Sequence, residues 1–314
     1  PYRGMSNASP STATIPADLL PDLVAAALRA GADAAEAVSA ESAALSVGVR
    51  NGTLEEVERE ESRDLGLRVF IGKRQATVSA SDLSDATRGR LVDRAVAMAR
   101  LAPEDPYCGL APQDRLAHGP FPDLDLFDGT HLTAAELEAA AVATESAAMT
   151  VEGVVRSEGG HASSSTSRWR LVTSDGFDGA YHGSGFGLGV GVIAEKDGAM
   201  ERGGEHRHTR HLSDLPGAET IGAEAGRRAV ARTGPRKIAS MTAPVIFENR
   251  IAGQVISPLL GAISGPSIAR GSSFLKDRMG QAVLPSGVNL IDDPFRPRGL
   301  AWTPFDDEGG AVVR

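Results

Sequence analysis

The apolar positions change period several times along the chain, and each change marks an element. Leu19, Leu20, Leu23, Val24, Ala27 and Leu28 recur at three- and four-residue intervals, the spacing of one helical face, and Gly31 supplies a stop. The period then drops to two: Leu45, Val47 and Val49 alternate with small or polar residues, as on a half-buried strand. Asn51-Gly52 follows, and because both residues tolerate positive φ a tight hairpin turn is predicted there. The return strand carries Leu54 and Val57 among Glu55, Glu56, Glu58 and Glu60. A second hairpin pairs Leu65, Leu67, Val69 and Ile71 with Ala76, Val78 and Ala80 across Gly72-Lys73. A helix from about Asp85 to Leu101, with Leu91, Ala95, Met98 and Ala102 on one stripe, ends at Pro103.

Residues 16–102 thus read as one α-β-β-β-β-α unit. Residues 103–131 hold Pro103, Pro106, Pro112, Pro120 and Pro122 and read as a Pro-rich linker. A middle unit, 132–235, opens on Thr133-x-x-Glu136, a capping box that satisfies two free N–H groups at a helix start. Its helix runs to about Met149, strands follow at about 169–173 and 180–194 around a Ser174-Asp175-Gly176 turn, and a helix over about 218–232 closes it. A third unit, 243–314, includes a Gly-spaced apolar stretch, 251–263, expected to be helical. The expected fold class is α+β and multidomain: the N-terminal unit, a second α/β sheet unit, and the start of a β-rich third domain that reads as truncated.

One strand has an unusual pattern. Gly183, Gly185, Gly187, Gly189 and Gly191 alternate strictly, leaving Phe186, Leu188, Val190 and Val192 on the other face. The spacing matches neither a dinucleotide fingerprint nor a P-loop. A bare glycine face lets another layer approach closely. Two readings stay open: tight packing against a neighbouring layer, or a groove at Gly185, Gly187, Gly189 and Gly191 that takes an extended peptide as an added strand.

Composition removes several functions. The 314 residues suffice for two or three domains. Aromatics are only 4% while glycines number 36, which favours small-residue packing over a large aromatic pocket. With 32 basic and 41 acidic residues the net charge is −9, a sign that repels phosphate backbones, so no nucleic-acid partner is expected. No apolar run approaches the ~18 residues of a membrane span, which predicts no membrane partner and a cytoplasmic location. Cys108 is the only cysteine, which excludes an internal disulfide and a thiolate metal cluster.

The seven histidines are His118, His131, His161, His182, His206, His208 and His211, and none opens a His-Glu-x-x-His or His-Glu-x-x-x-His helix. In His206-x-His208-x-x-His211, a strand would place His206 and His208 on one face with His211 opposite; a helix would align only His208 and His211. Arg207 and Arg210 add unfavourable charge, so the segment reads as solvated, with a metal site at His206/His208 as the rival. No Gly-x-Ser-x-Gly elbow is present, and Ser163-Ser164-Ser165 reads as a polar loop.

Three stretches together resemble the TldD/TldE (PmbA) metalloprotease family. They are 46–58 with 66–76, including Arg50-Asn51-Gly52-Thr53-Leu54-Glu55; 271–281, Gly-Ser-Ser-Phe-Leu-Lys-Asp-Arg-Met-Gly-Gln; and 291–299, Ile-Asp-Asp-Pro-Phe-Arg-Pro-Arg-Gly, with 305–309, Phe-Asp-Asp-Glu-Gly, behind. The resemblance implies a heteromeric protease in which a TldD subunit supplies zinc and a TldE subunit a metal-free half. Catalytic members carry a His-Glu-x-x-x-His helix about 22 residues before the Arg-x-Gly-Gln element. Counting back from Arg278 reaches Ile256-Ser257-Pro258-Leu259-Leu260-Gly261, with no histidine or glutamate, no His anywhere after His211, and Pro258 set to disturb a regular helix. The chain is therefore similar to the TldE/PmbA branch, as Asn249-Arg250-Ile251-Ala252-Gly253 and 267–274 also suggest. That branch implies no catalytic residues and no cofactor in this chain, zinc in a TldD-like partner subunit, an unfolded peptide as substrate, and self-association. It also implies roles in peptide maturation or degradation. The alternatives are a stand-alone metallopeptidase with a relocated site and a non-proteolytic modulator of DNA gyrase.

Overall fold

The computed structural model describes residues 15–301 and 303–313. In chain order the elements are α1 (Leu19–Arg29), β1 (Ala34–Arg50), β2 (Thr53–Ile71), β3 (Arg74–Ala80), α2 (Asp85–Leu101), α3 (Ala134–Met149), β4 (Val154–Thr173), β5 (Asp178–Lys196), β6 (Ala199–Thr209), α4 (Ala218–Arg232), α5 (Asn249–Ile263) and α6 (Gly265–Ala269). They fall into two compact units, one of residues up to 235 together with 293–313, the other 236–292.

A single antiparallel sheet, β3-β2-β1-β4-β5-β6, runs through the first unit. β1 pairs with β4 from Glu36↔Thr173 to Val49↔Gly160, so one sheet draws strands from both 16–102 and 132–235. Asn51 and Gly52 form the β1–β2 turn with φ of 53° and 71°, as their residue types predict. Four strands were expected in 16–102 and three are found. The return strand and the next one are a single 19-residue β2, because β1 is long enough to pair with all of it. The polar run between Glu58 and Asp64 hid this continuity; Ser42 and Ser62 hydrogen-bond across it at 2.8 Å. β4 likewise begins at Val154, so Ser163–Ser165 lie in a strand rather than a loop.

Alternation along the strands sends one set of side chains towards helices. Ala35, Ala37, Leu65, Leu67 and Val69 pack with α1 and α2. Val47, Val49, Ala162 and Leu188 pack with Leu137 and Ala141 of α3 and Ile221 of α4, and Val190, Val192 and Ala194 with Ala148, Ala225 and Ala229. The buried stripe of α2 is Leu91, Val92, Ala95, Val96 and Ala99, and Met98 is outside it at 42% exposure. The Thr133–Glu136 capping box forms as expected, with Thr133 N donating to Glu136 at 2.7 Å.

One end of the opposite sheet face is covered within this unit, where Leu171, Trp169 and Tyr181 meet Leu116, Phe121, Phe177 and Phe305. The Pro-rich stretch is laid against the sheet at several points: Cys108, Leu116, Leu124 and Leu126 are buried, and Leu116 bridges to Gly310.

The unit 236–292 contains α5 and α6 and, among the described residues, no strand, where a β-rich start was expected. A strand needs a hydrogen-bonded neighbour, and Val245, Ile246 and Phe247 stand 70%, 95% and 52% exposed instead. The apolar stretch 251–263 is helical as expected, within α5, and Pro258 lies inside the helix without ending it. Among the described residues no helix is long and apolar enough to cross a membrane.

Candidate functional site

On the sheet face away from α1–α4, beyond the aromatic cluster, lies a trough of small residues. Three rows cross it from β6 to β2: His206, Gly189, His161, Gly48, Glu56; then His208, Gly187, Ser163, Ser46, Glu58; and, from β5 on, Gly185, Ser165, Ala44, Glu60. The floor is glycine, serine and alanine. Imidazoles stand along one side and carboxylates along the other.

The glycines are needed because side chains from both neighbours fold over them. A Cβ on Gly189 would lie 2.6 Å from His161 Cε1 and 2.9 Å from Glu205 O; one on Gly187 would lie 2.6 Å from Ser163 Oγ; one on Gly185 would lie 2.7 Å from His208 Nε2 and 2.9 Å from Ser165 Oγ. Glu205 O is backbone and cannot retreat, so Gly189 has no room for a side chain, whereas at Gly187 and Gly185 a Cβ would displace the ends of Ser163, Ser165 and His208. The groups that lie over these glycines are side chains of the flanking strands β4 and β6, not a neighbouring layer. β5 is hydrogen-bonded to β4 on one edge and β6 on the other, so Gly185, Gly187, Gly189 and Gly191 offer no free backbone for an added strand. Among the described residues the sheet ends at β3 and β6, and β3 reaches only Leu65–Ile71 of β2.

His206 and His208 share a strand face, as the strand reading requires, and His161 joins them from β4. His161 Nε2 and His206 Nδ1 are 3.0 Å apart. His161 was not singled out from sequence because its polar surroundings concealed the strand. Its readable signal was register: a histidine two positions before Ser163 in an alternating segment. Partial desolvation of its ring, then the neighbouring His206, lowers the His161 pKa; partial desolvation, then His206 and Arg210, lowers that of His208. His211 turns away and bonds Asp125 O at 2.9 Å through Nε2. His182 stacks on Phe127 at 3.6 Å. Among the described residues no three His, Cys, Asp or Glu side chains converge on one point.

Residues 256–261, reached by counting back from Arg278, lie in α5, and their side chains do not fit a zinc ion. Residues 256–261 present aliphatic, proline and glycine groups, and their one polar side chain, Ser257, donates to Gly253 O at 2.8 Å. The other motif segments act as connectors. Ser273, buried, donates to Ala262 O at 2.6 Å and receives Leu275 N at 2.9 Å, tying its loop to α5. Arg298 bridges Asp125 at 2.6 Å and Asp214 at 3.0 Å. Asp306 caps its own turn, accepting from Glu308 N at 3.0 Å.

Comparison with known proteins accounts for most of the chain. Residues 35–99 match the PmbA/TldA metallopeptidase domain 1, 127–233 the central domain and 240–314 the C-terminal domain. Metalloprotease PmbA of Escherichia coli O157:H7 is 36% identical over 283 residues, 90% of this chain and 63% of that protein. A PmbA homolog of Haemophilus influenzae is 34% identical over 284 residues, 90% of this chain and 62% of its own length. The chain thus spans less than two thirds of these relatives. Among solved structures, a candidate modulator of DNA gyrase from Bacteroides thetaiotaomicron superposes with a TM-score of 0.88 at 20% identity, over 94% of this chain and 68% of that one. TldE from Thermococcus kodakarensis gives 0.77 at 20% identity, over 93% and 66%. The three matched domains in their order, and the identity to PmbA along nine tenths of the sequence, place the chain in the PmbA/TldD metallopeptidase family.

Proposed function

We propose that the chain acts as a TldE/PmbA-type subunit that lacks the catalytic zinc of its family and works beside a TldD-like subunit that supplies it. The observation that carries this reading is α5, which offers no imidazole ligand and no carboxylate base over 256–261. A zinc water cannot be held or deprotonated there. The subunit's contribution is then to receive an unfolded peptide and present it to the partner, in the cytoplasm, for maturation or degradation.

The trough suits that task sterically. Between the imidazoles and the carboxylates, Ser163, Ser165, Ser46 and Ala44 carry no bulky side chain, and serine hydroxyls can meet peptide groups without selecting side chains. Backbone pairing, where used, falls to the outer strands of the sheet rather than to β5. With a net charge of −9, action on DNA gyrase through proteolysis is favoured over contact with DNA itself.

The test is peptide hydrolysis by the full-length chain, alone and mixed with its TldD-like partner. Cleavage in the mixture only supports the reading. Zinc-dependent cleavage by the chain alone overturns it, and co-purification with gyrase subunits in place of a TldD-like protein would favour the non-proteolytic alternative.

A further inference from the structure

His161 and His206 sit on β4 and β6, with β5 between them, yet their rings touch. Strands lie about 4.8 Å apart, so side chains two strands away are separated by about 10 Å at their bases. They meet only because Gly189 puts nothing in the way; a Cβ there would lie 2.6 Å from His161 Cε1. The rings lie nearly parallel, 19° between planes and 5.1 Å between centroids, with Nε2 of one and Nδ1 of the other 3.0 Å apart. That contact needs one shared proton, one nitrogen donating and the other accepting.

A position where two imidazole nitrogens share a proton is also one where a metal ion can replace it. With Zn–N bonds of 2.0–2.1 Å, two nitrogens of a tetrahedral ion lie about 3.3 Å apart. The observed pair has to open by about 0.3 Å on that estimate, and both rings have to pivot so that their lone pairs converge on the ion. Both residues are exposed on the sheet face, which leaves an approach from solvent. The surrounding groups do not compete for the place. Glu158 is engaged by Arg202 at 2.9 Å, and Glu205 faces the other way, where it pairs with Arg207 and Arg228. His208 lies one rung along, its Nε2 above Gly185. An all-imidazole donor pair suits late first-row divalent ions and not magnesium or calcium, which take oxygen ligands.

We propose that His161 and His206 form a two-imidazole clasp for one zinc, nickel or copper ion. The remaining coordination positions are left to water or to a donor from a bound chain. The clasp is separate from the family's zinc helix and independent of the subunit role proposed above.

The test is calorimetric titration of tag-free, metal-stripped full-length chain with nickel or zinc chloride near neutral pH. One ion per chain is expected, with no magnesium binding. His161→Ala and His206→Ala each weaken binding by more than about tenfold, since removing a ligand exceeds the loss from an outer-shell change. His208→Ala stays within about twofold on the same scale. Acidification to about pH 5 abolishes binding, because protons compete for both nitrogens. Should the alanine variants misfold, copper added to wild-type chain must broaden the imidazole proton resonances of His161 and His206 before those of His118 and His131. Absence of binding at about 100 µM ion, on the scale where a weak site still registers, overturns the proposal. Unchanged affinity in both alanine variants, or uniform broadening of all histidines, overturns it too.

Discussion

Glu145, on α3, accepts the backbone N–H of Asn51 at 2.8 Å, so a helix belonging to the middle of the chain holds the tip of the first hairpin. The same carboxylate takes Gly52 N at 2.7 Å and the hydroxyl of Ser157, and it is only 3% exposed. Those turn amides have positive φ and no ladder partner to satisfy them. Glu145→Ala is expected to cost about 1–3 kcal/mol, the range for leaving buried partners unsatisfied. Chemical denaturation checks this, and a loss within about 0.5 kcal/mol would show that water replaces the carboxylate without penalty.

The same substitution, glycine to alanine inside a helix, should have opposite signs at two places. Gly89 in α2 has nothing within 4 Å of a built Cβ, so Gly89→Ala gains about 0.5–1 kcal/mol by restricting the unfolded chain. Gly222 in α4 packs on α3, where a Cβ would meet Thr144 O, Ala147 Cβ at 2.7 Å and Ala148 N at 2.8 Å. Backbone cannot retreat as a flexible side chain can, so Gly222→Ala is expected to destabilise by about 1–3 kcal/mol through overpacking. Thermal unfolding of both variants reads the sign directly, and a stabilised Gly222→Ala would refute close α3–α4 contact.

Sequence period was informative where burial is one-sided. α1, α4 and the Asn51-Gly52 turn are legible because apolar spacing, a stop residue and positive-φ residues coincide. The continuity of β2 and the start of β4 were not, because β2 is exposed on both faces through Glu61 and Ser163–Ser165 lie among small residues. Hydropathy carries no information about a strand whose partners, rather than a core, hold it in place. The glycine alternation at 183–191 was visible, but its meaning depended on which strands flank it. Pairing of β5 with β4 and β6 joins residues 45 positions apart, His161 and His206, and no local pattern announces such a contact. The absence of zinc ligands in α5 was readable outright, since a missing residue type needs no geometry.

Stability should rise with pH across the histidine range. His161, His182 and His208 all have pKa values lowered from the ordinary 6.5, each chiefly by partial desolvation of the ring. Above 6.5 these rings are neutral in both folded and unfolded chains and contribute nothing to the balance. As pH falls through that value the unfolded chain takes up protons first, so unfolding is favoured progressively until the folded-state values are passed. The thermal midpoint is therefore expected to drop between about pH 8 and pH 5, and His161→Gln should make the drop shallower. A flat profile in wild type, or an unchanged slope in the variant, would count against desolvation of these rings.

Phe305 anchors the distant segment of the chain that returns to the sheet. It is 1% exposed, and its ring lies 4.9 Å from Phe121, 5.1 Å from Phe177, 5.8 Å from Trp169 and 5.9 Å from Tyr181. The approach is possible because Gly179 leaves space, a Cβ there lying 2.7 Å from Phe305 Cζ. Asp306 and Gly309 then turn the chain so that Gly309 O receives Ala117 N at 2.9 Å and Arg115 O receives Ala311 N at 2.7 Å. Phe305→Ala removes the ring common to these contacts and is expected to cost about 3–5 kcal/mol, as for a buried phenylalanine whose cavity cannot close. Because Trp169 borders the cavity, its fluorescence should shift to the red as water enters. Phe274, 75% exposed in the other unit, is the control: Phe274→Ala should stay within about 0.5 kcal/mol. If the two variants lose similar stability and Trp169 emission does not move, the segment 293–313 is not held to the sheet by its aromatic cluster, and the return of the chain must rest on Arg298 and the backbone pairs alone.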